Sequence, residues 1–152
     1  MRRPRVFGCG CPHPRPREGV RLAVWRRRAA HVTIPTVKTV LIVDDHPSFR
    51  ATARALLEAE GFRVVGEAGD GAEAIDAAAR LEPDVILLDV QLPDMDGFEI
   101  AARLCANGLR PEIVLTSSRD AAEFGSLIER SPVRGFVPKA ELSGERLAEL
   151  LG

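Results

Sequence analysis

Val85-Ile86-Leu87-Leu88-Asp89 is a run of four aliphatic residues closed by a carboxylate. A strand that turns apolar side chains to both faces has no solvent side, so this run belongs at the middle of a sheet covered by helices on both faces. Upstream, Val40-Leu41-Ile42-Val43 repeats the pattern and ends in Asp44-Asp45; downstream, Ile113-Val114-Leu115 leads into Thr116-Ser117-Ser118. Five strands are read in all, at residues 40–43, 62–68, 85–88, 113–116 and 133–137. The second carries Arg63, Gly66 and Glu67 among its apolar positions. A strand buried on both sides does not tolerate these, and it is placed at an edge.

Between the strands the apolar period changes from continuous to helical. Phe49, Ala53, Leu56 and Leu57 share one helix face and Gly61 follows as a stop, which predicts a helix over about 47–60. Asp70 with Glu73 three residues on reads as a capping box opening an Ala-rich second helix to about residue 81, where Pro83 forbids continuation. Phe98, Ala101, Leu104 and Cys105 line a third, ending at Asn107-Gly108, with Cys105 read as a buried core thiol. Phe124, Leu127 and Ile128 mark a fourth; Ser143 caps a fifth whose inner face is Leu147, Leu150 and Leu151. Alternating strands and helices of this kind build an α/β fold with a doubly wound parallel sheet, five strands and five helices.

Charge divides the chain. Residues 1–39 hold ten Lys or Arg and one acid, Glu18, whereas the remaining 113 residues hold 11 basic and 21 acidic side chains, so a formal net charge of −1 conceals a basic arm on an acidic domain. The arm, rich in proline and arginine, buries too little apolar surface to offset its ordering entropy. Residues 1–36 are expected to be a disordered arm or the product of a misassigned start, with Val32 or Val37 as the true first position, because Met95 is the only methionine after Met1. Other readings of the arm are an anion-binding segment, a transit peptide, or a metal group from Cys9, Cys11 and His13. Residues 37–152 form the folded unit. With 152 residues there is material for one domain and too little for two. Three cysteines make no disulfide framework, and the longest apolar runs are of strand length, which points to a cytoplasmic protein without membrane contact.

In an open parallel sheet the ligand crevice lies beyond the carboxyl ends of the strands. Asp44 and Asp45 end the first strand, Asp89 the third and Thr116 the fourth, while the fifth runs into Lys139. Three carboxylates so close would oppose one another's ionisation unless a cation sits among them, and all-oxygen ligation with room for waters suits Mg²⁺. Taken singly, an acid after a strand is usually a helix cap and Thr116 is a polar core residue. Placed together at one end of successive strands, they read as a site.

Val40-Leu-Ile-Val-Asp-Asp-His-Pro47, the segment from Val85 to Gly97, Ile113-Val-Leu-Thr-Ser117 and Gly135-Phe-Val-Pro-Lys139 occur in one order that strongly resembles the receiver domain of two-component response regulators. The resemblance spans about residues 37–152 and implies the flavodoxin-like strand order 2-1-3-4-5. It implies that Asp89 is the phosphoacceptor, and that Mg²⁺ is held by Asp44, Asp45, Asp89 and the backbone carbonyl of Gln91. Thr116 is then the switch hydroxyl, Lys139 the phosphoryl partner and Phe136 the switch aromatic. Receivers commonly carry a cis proline after the lysine; here Ala140 follows, as in receivers resembling the NarL/FixJ group, and a trans bond is expected.

Three functions are weighed. The leading one is a stand-alone receiver that takes a phosphoryl group from a histidine kinase or phosphotransfer protein and controls an unknown output protein, with a phosphorylation-dependent dimer as a further state. The alternative is the receiver portion of a DNA-binding regulator lacking its output domain; direct DNA binding is not expected of an acidic domain. A phosphatase of the haloacid dehalogenase type needs a second Asp two residues after the nucleophile, where Gln91 stands. No turnover of an external substrate is expected beyond slow self-dephosphorylation.

Overall fold

The structure is a computed structural model that describes residues 37–152. The basic arm, the alternative start at Val32 and the Cys9, Cys11 and His13 group lie outside the described residues. Five strands, β1 (Thr39–Val43), β2 (Arg63–Ala68), β3 (Val85–Asp89), β4 (Glu112–Ser117) and β5 (Gly135–Pro138), alternate with helices α1 (Pro47–Ala59), α2 (Gly71–Leu81), α3 (Gly97–Ala106), α4 (Gly125–Glu129) and α5 (Gly144–Leu151). All pairings are parallel, and the order is β2-β1-β3-β4-β5. The chain order reverses beside β1 and β3, so Asp44 and Asp89 meet where a crevice opens.

Strand alternation sorts the core into two layers. Leu41, Val43, Ile86, Leu88, Ile113 and Leu115 face α2 and α3, where Ala74, Ala77, Ala78, Ile100 and Leu104 receive them. Val40, Ile42, Val85, Leu87, Val114 and Val137 face the other way, onto Ala53 and Leu57 of α1 and Leu147 and Leu151 of α5. Every residue of β3 is buried, as its unbroken aliphatic run requires. β2 pairs only with β1, and its register slips where Val40–Leu41 face Val64 and Gly66, so the strand with the broken pattern is the edge.

The helix ends show which local signals acted. The Asp70 carboxylate accepts from the Glu73 N–H at 2.8 Å, and the Glu73 carboxylate reaches back to the Gly69 N–H at 2.6 Å, one residue earlier than in a regular capping box. Ser143 accepts from the Arg146 N–H at 3.0 Å, and Asp96 from the Glu99 N–H at 2.8 Å. Gly61 and Gly108 end α1 and α3 with φ of 99° and 84°, the left-handed region that glycine enters at no steric cost. α4 is a single five-residue turn after a 3₁₀ segment at Ala121–Glu123. Its apolar residues are spaced as in a helix but number too few to bury a long one. β5 begins two residues later than its apolar run, at Gly135, where an added Cβ would come within 2.8 Å of the Leu150 side chain. Cys105 is buried, as its place on the core face of its helix predicts. No cis peptide occurs among the described residues, so the bond after Lys139 is trans.

Candidate functional site

Ladder pairing brings the ends of β1, β3, β4 and β5 level at one rim. Asp89 pairs with Thr116, and Thr116 with Val137. Asp44, Asp89, Thr116 and Ser117 are the buried polar residues of the described chain, and all four stand at this rim. The Lys139 ammonium lies 2.5 Å from Asp44 Oδ2 and 3.5 Å from Asp89 Oδ2. It also sits 4.5 Å above the Phe49 ring, which holds the cation by its negative face. Asp45 is the solvent-side member, with its side chain one-third exposed.

Asp89 is nearly enclosed, and that burial disfavours its charged form. The Asp44 carboxylate adds to the effect, and together they outweigh the Lys139 ammonium and the Gln91 N–H, which donates to Asp89 Oδ1 at 3.3 Å. Its pKa is pushed up to about 6. The Thr116 hydroxyl donates to the Val137 carbonyl at 2.7 Å. Phe136, half-buried, stands 5.7 Å from the Phe124 ring, which is in turn 6.0 Å from Phe98. Gln91 is exposed at the start of the β3–α3 loop and forms an isolated antiparallel bridge with Asp96.

Residues without an assigned role in the sequence also take part. His46 donates its backbone N–H to Asp44 Oδ1 at 2.8 Å, and its Nδ1 is 3.1 Å from both Asp44 Oδ1 and Asp45 Oδ1. Arg50 donates to the Asp44 carbonyl at 2.6 Å. His46 adjoins the acid pair in sequence and its nearness could have been anticipated. Arg50 lies one helical turn further on, and nothing in the pattern singles it out.

Carboxylate or ring atoms of Asp44, Asp45, His46 and Asp89 all lie within 4.8 Å of one another. Asp44 Oδ2 is buried and meets no donor with hydrogen-bond directionality; its close neighbour, the Lys139 ammonium, contacts it as an ion. An oxygen-rich, negatively charged group of this kind fits a hard divalent cation such as Mg²⁺. Gly97 seals the floor: a Cβ there would fall 2.7 Å from the Asp89 carbonyl and 3.0 Å from Val90 Cα, both backbone. Gly97→Ala should therefore cost about 1–3 kcal/mol, measured by urea unfolding, whereas Gly125→Ala, which meets nothing within 4 Å, should cost none.

Comparison with known proteins agrees with this geometry. The family model "Response regulator receiver domain" matches residues 40–151. A putative transcriptional regulator of Pseudomonas aeruginosa is 41% identical over 112 residues, 74% of this chain and 52% of that protein. The nitrate/nitrite response regulator NarP of Escherichia coli is 48% identical over 84 residues, 55% of this chain and 39% of NarP. The chain thus spans about half, or less, of the length of these relatives. Among solved structures, the signal receiver domain of the putative response regulator NarL from Mycobacterium tuberculosis superposes with a TM-score of 0.66 at 35% identity, covering 78% of this chain and 99% of that one.

Proposed function

The chain belongs to the response regulator receiver family of two-component signalling, and from that membership we propose that it accepts a phosphoryl group on Asp89 from a phosphohistidine and switches a partner protein. One observation carries the reading: the buried carboxylate at the end of the central strand faces Lys139 and lies among Asp44, Asp45 and His46. An ionised Asp89 oxygen attacks phosphorus in line; the new O–P bond forms as the N–P bond of the donor breaks, and the imidazole departs. Lys139 neutralises charge gathering on the transferred oxygens. Asp44, Asp45, Asp89 and the Gln91 carbonyl would hold Mg²⁺, which when bound supplies further neutralisation of the phosphoryl oxygens. The part is that of a signalling switch, and slow self-hydrolysis of the acyl phosphate resets it.

An acyl phosphate adds about two negative charges beside Thr116. The hydroxyl then exchanges the Val137 carbonyl for a phosphoryl oxygen and leaves room that Phe136 enters. The face of α4, β5 and α5 is the output. Phe136→Ala should uncouple it: with Mg²⁺ and beryllofluoride, wild-type amide NMR shifts should extend across residues 119–150 and those of the variant should stay near Asp89. Equal shifts in both proteins would remove Phe136 from the switch.

A second reading has support of its own. The relatives are described as transcription regulators and the matched segment spans 52% and 60% of two of them, so this receiver also suits a DNA-binding regulator whose output lies outside it. Cytoplasmic placement follows from the phosphodonor; no helix among the described residues is long and apolar enough to cross a membrane. The test is phosphotransfer from a panel of autophosphorylated histidine kinases of the source organism. Rapid transfer from one kinase is expected, and transfer from none, with no labelling by acetyl phosphate, would contradict the function.

A further inference from the structure

The loop of residues 90–96 joins Asp89 to α3 and carries Gln91, so its placement decides where the Gln91 peptide stands relative to Asp89. Its ends are fixed by the fold: Val90 N–H donates to the Thr116 carbonyl at 3.0 Å, and Gly97 N–H to the Val90 carbonyl at 2.7 Å. Within the loop Gln91 bridges Asp96, and the Asp94 side chain ties the middle to a neighbouring helix. Both carboxylate oxygens of Asp94 accept from the first turn of α2, Oδ1 from Gly71 N–H at 2.7 Å and Oδ2 from Ala72 N–H at 3.0 Å. Met95 closes over the same turn, so tightly that a Cβ at Gly71 would lie 2.5 Å from Met95 Cγ. The anchor is firm, because α2 buries Ala74, Ala77 and Ala78 in the core.

α2 already has a cap of its own in Asp70, which satisfies the Glu73 N–H. Asp94 differs from it in origin. It comes from the site loop, 22 residues away from Ala72 in sequence, and it joins that loop to a helix that contributes nothing to the site. A carboxylate accepting two helix N–H groups is favoured in its charged form, and the pKa of Asp94 is accordingly lowered, chiefly by the Gly71 N–H.

Resting on the receiver reading above, we propose that Asp94 is a positioning residue for the phosphoacceptor site: by tying the middle of the loop to α2, it holds the Gln91 peptide against Asp89 and keeps the Gln91 carbonyl available to the cation. Groups that orient ligands typically change metal affinity 10- to 100-fold when removed, and Asp94 acts through the backbone, at the lower end of that range.

The experiment compares Asp94→Ala, Asp70→Ala and Asp45→Ala with wild type in the full chain, by Mg²⁺ titration calorimetry and thermal unfolding. Each of the first two variants removes one cap from α2, so their melting points should fall by similar amounts. Of these two, only Asp94→Ala should weaken Mg²⁺ binding, by about 10-fold, and Asp94→Asn, which keeps one acceptor oxygen, should recover part of it. Equal weakening in Asp70→Ala would assign the effect to helix stability and overturn the proposal. So would Mg²⁺ affinity within about twofold of wild type in Asp94→Ala while Asp45→Ala loses it. Wild type that binds no Mg²⁺, or Asp45→Ala that binds it undiminished, would overturn the site reading and this proposal with it. Should Asp94→Ala not fold, the same comparison between Asp94→Asn and Asp70→Asn decides.

Discussion

Asp89→Asn should make the protein more stable at pH 7 and leave it unchanged near pH 4. The Asp89 carboxyl has a pKa of about 6 in the fold, set first by burial and then by Asp44, against about 3.9 in an unfolded chain. Between those values the folded protein holds a proton that the unfolded chain has released. Stability therefore falls as pH rises from about 4 to 6, by up to about 3 kcal/mol for a two-unit difference. Asparagine has no charge to desolvate, still accepts from the Gln91 N–H, and leaves Lys139 paired with Asp44. Urea unfolding of both proteins across pH 4–8 should give curves that coincide at the acid end and separate above pH 6, with the variant the more stable by about 1–3 kcal/mol. A variant less stable than wild type at pH 7 would mean that the Lys139–Asp89 pair stabilises the fold more than the buried charge strains it.

Asp45→Ala should slow labelling by acetyl phosphate at least about 100-fold, a loss near 3 kcal/mol in transition-state stabilisation. Its side chain is one-third exposed and its contact is with His46, itself two-thirds exposed, so the fold should lose no more than about 0.5 kcal/mol. That separation of effects is the point of the variant. Asp44→Ala would confound them, because it strands the Lys139 ammonium against Asp89 in a buried pocket. The measurement is the initial rate of phosphoryl incorporation against Mg²⁺ concentration, with unfolding followed in parallel. Undiminished, Mg²⁺-dependent labelling would mean that the cation is held without Asp45.

How much of this was legible before the structure follows from which interactions are local. The central strands were readable because a doubly buried strand leaves no polar position, and Val85-Ile86-Leu87-Leu88 has none. The edge was readable from Arg63 and Glu67. Caps at Asp70 and Ser143 were readable because their bonds close within four residues. α4 was not bounded, since Phe124, Leu127 and Ile128 give the spacing of a helix but not its length. β5 was misjudged by two residues, as Val133 is apolar for packing on the core and not for strand pairing. At the site, the positions of Asp44, Asp89 and Thr116 follow from strand ends. Their burial, the hold of Phe49 on Lys139 and the bonds of Arg50 and Asp94 depend on partners in other elements, and no spacing in the sequence encodes them.

If one carboxylate takes the phosphoryl group, it is that of Asp89, buried at the end of β3 beside Lys139. Treating the wild-type chain with acetyl phosphate and Mg²⁺, reducing the acyl phosphate with borohydride and mapping the resulting homoserine by peptide mass spectrometry tests it directly. Homoserine is expected at position 89, and none in Asp89→Asn. Homoserine at position 44 or 45, or a borohydride-resistant phosphate on Thr116 or a neighbouring serine, would contradict it.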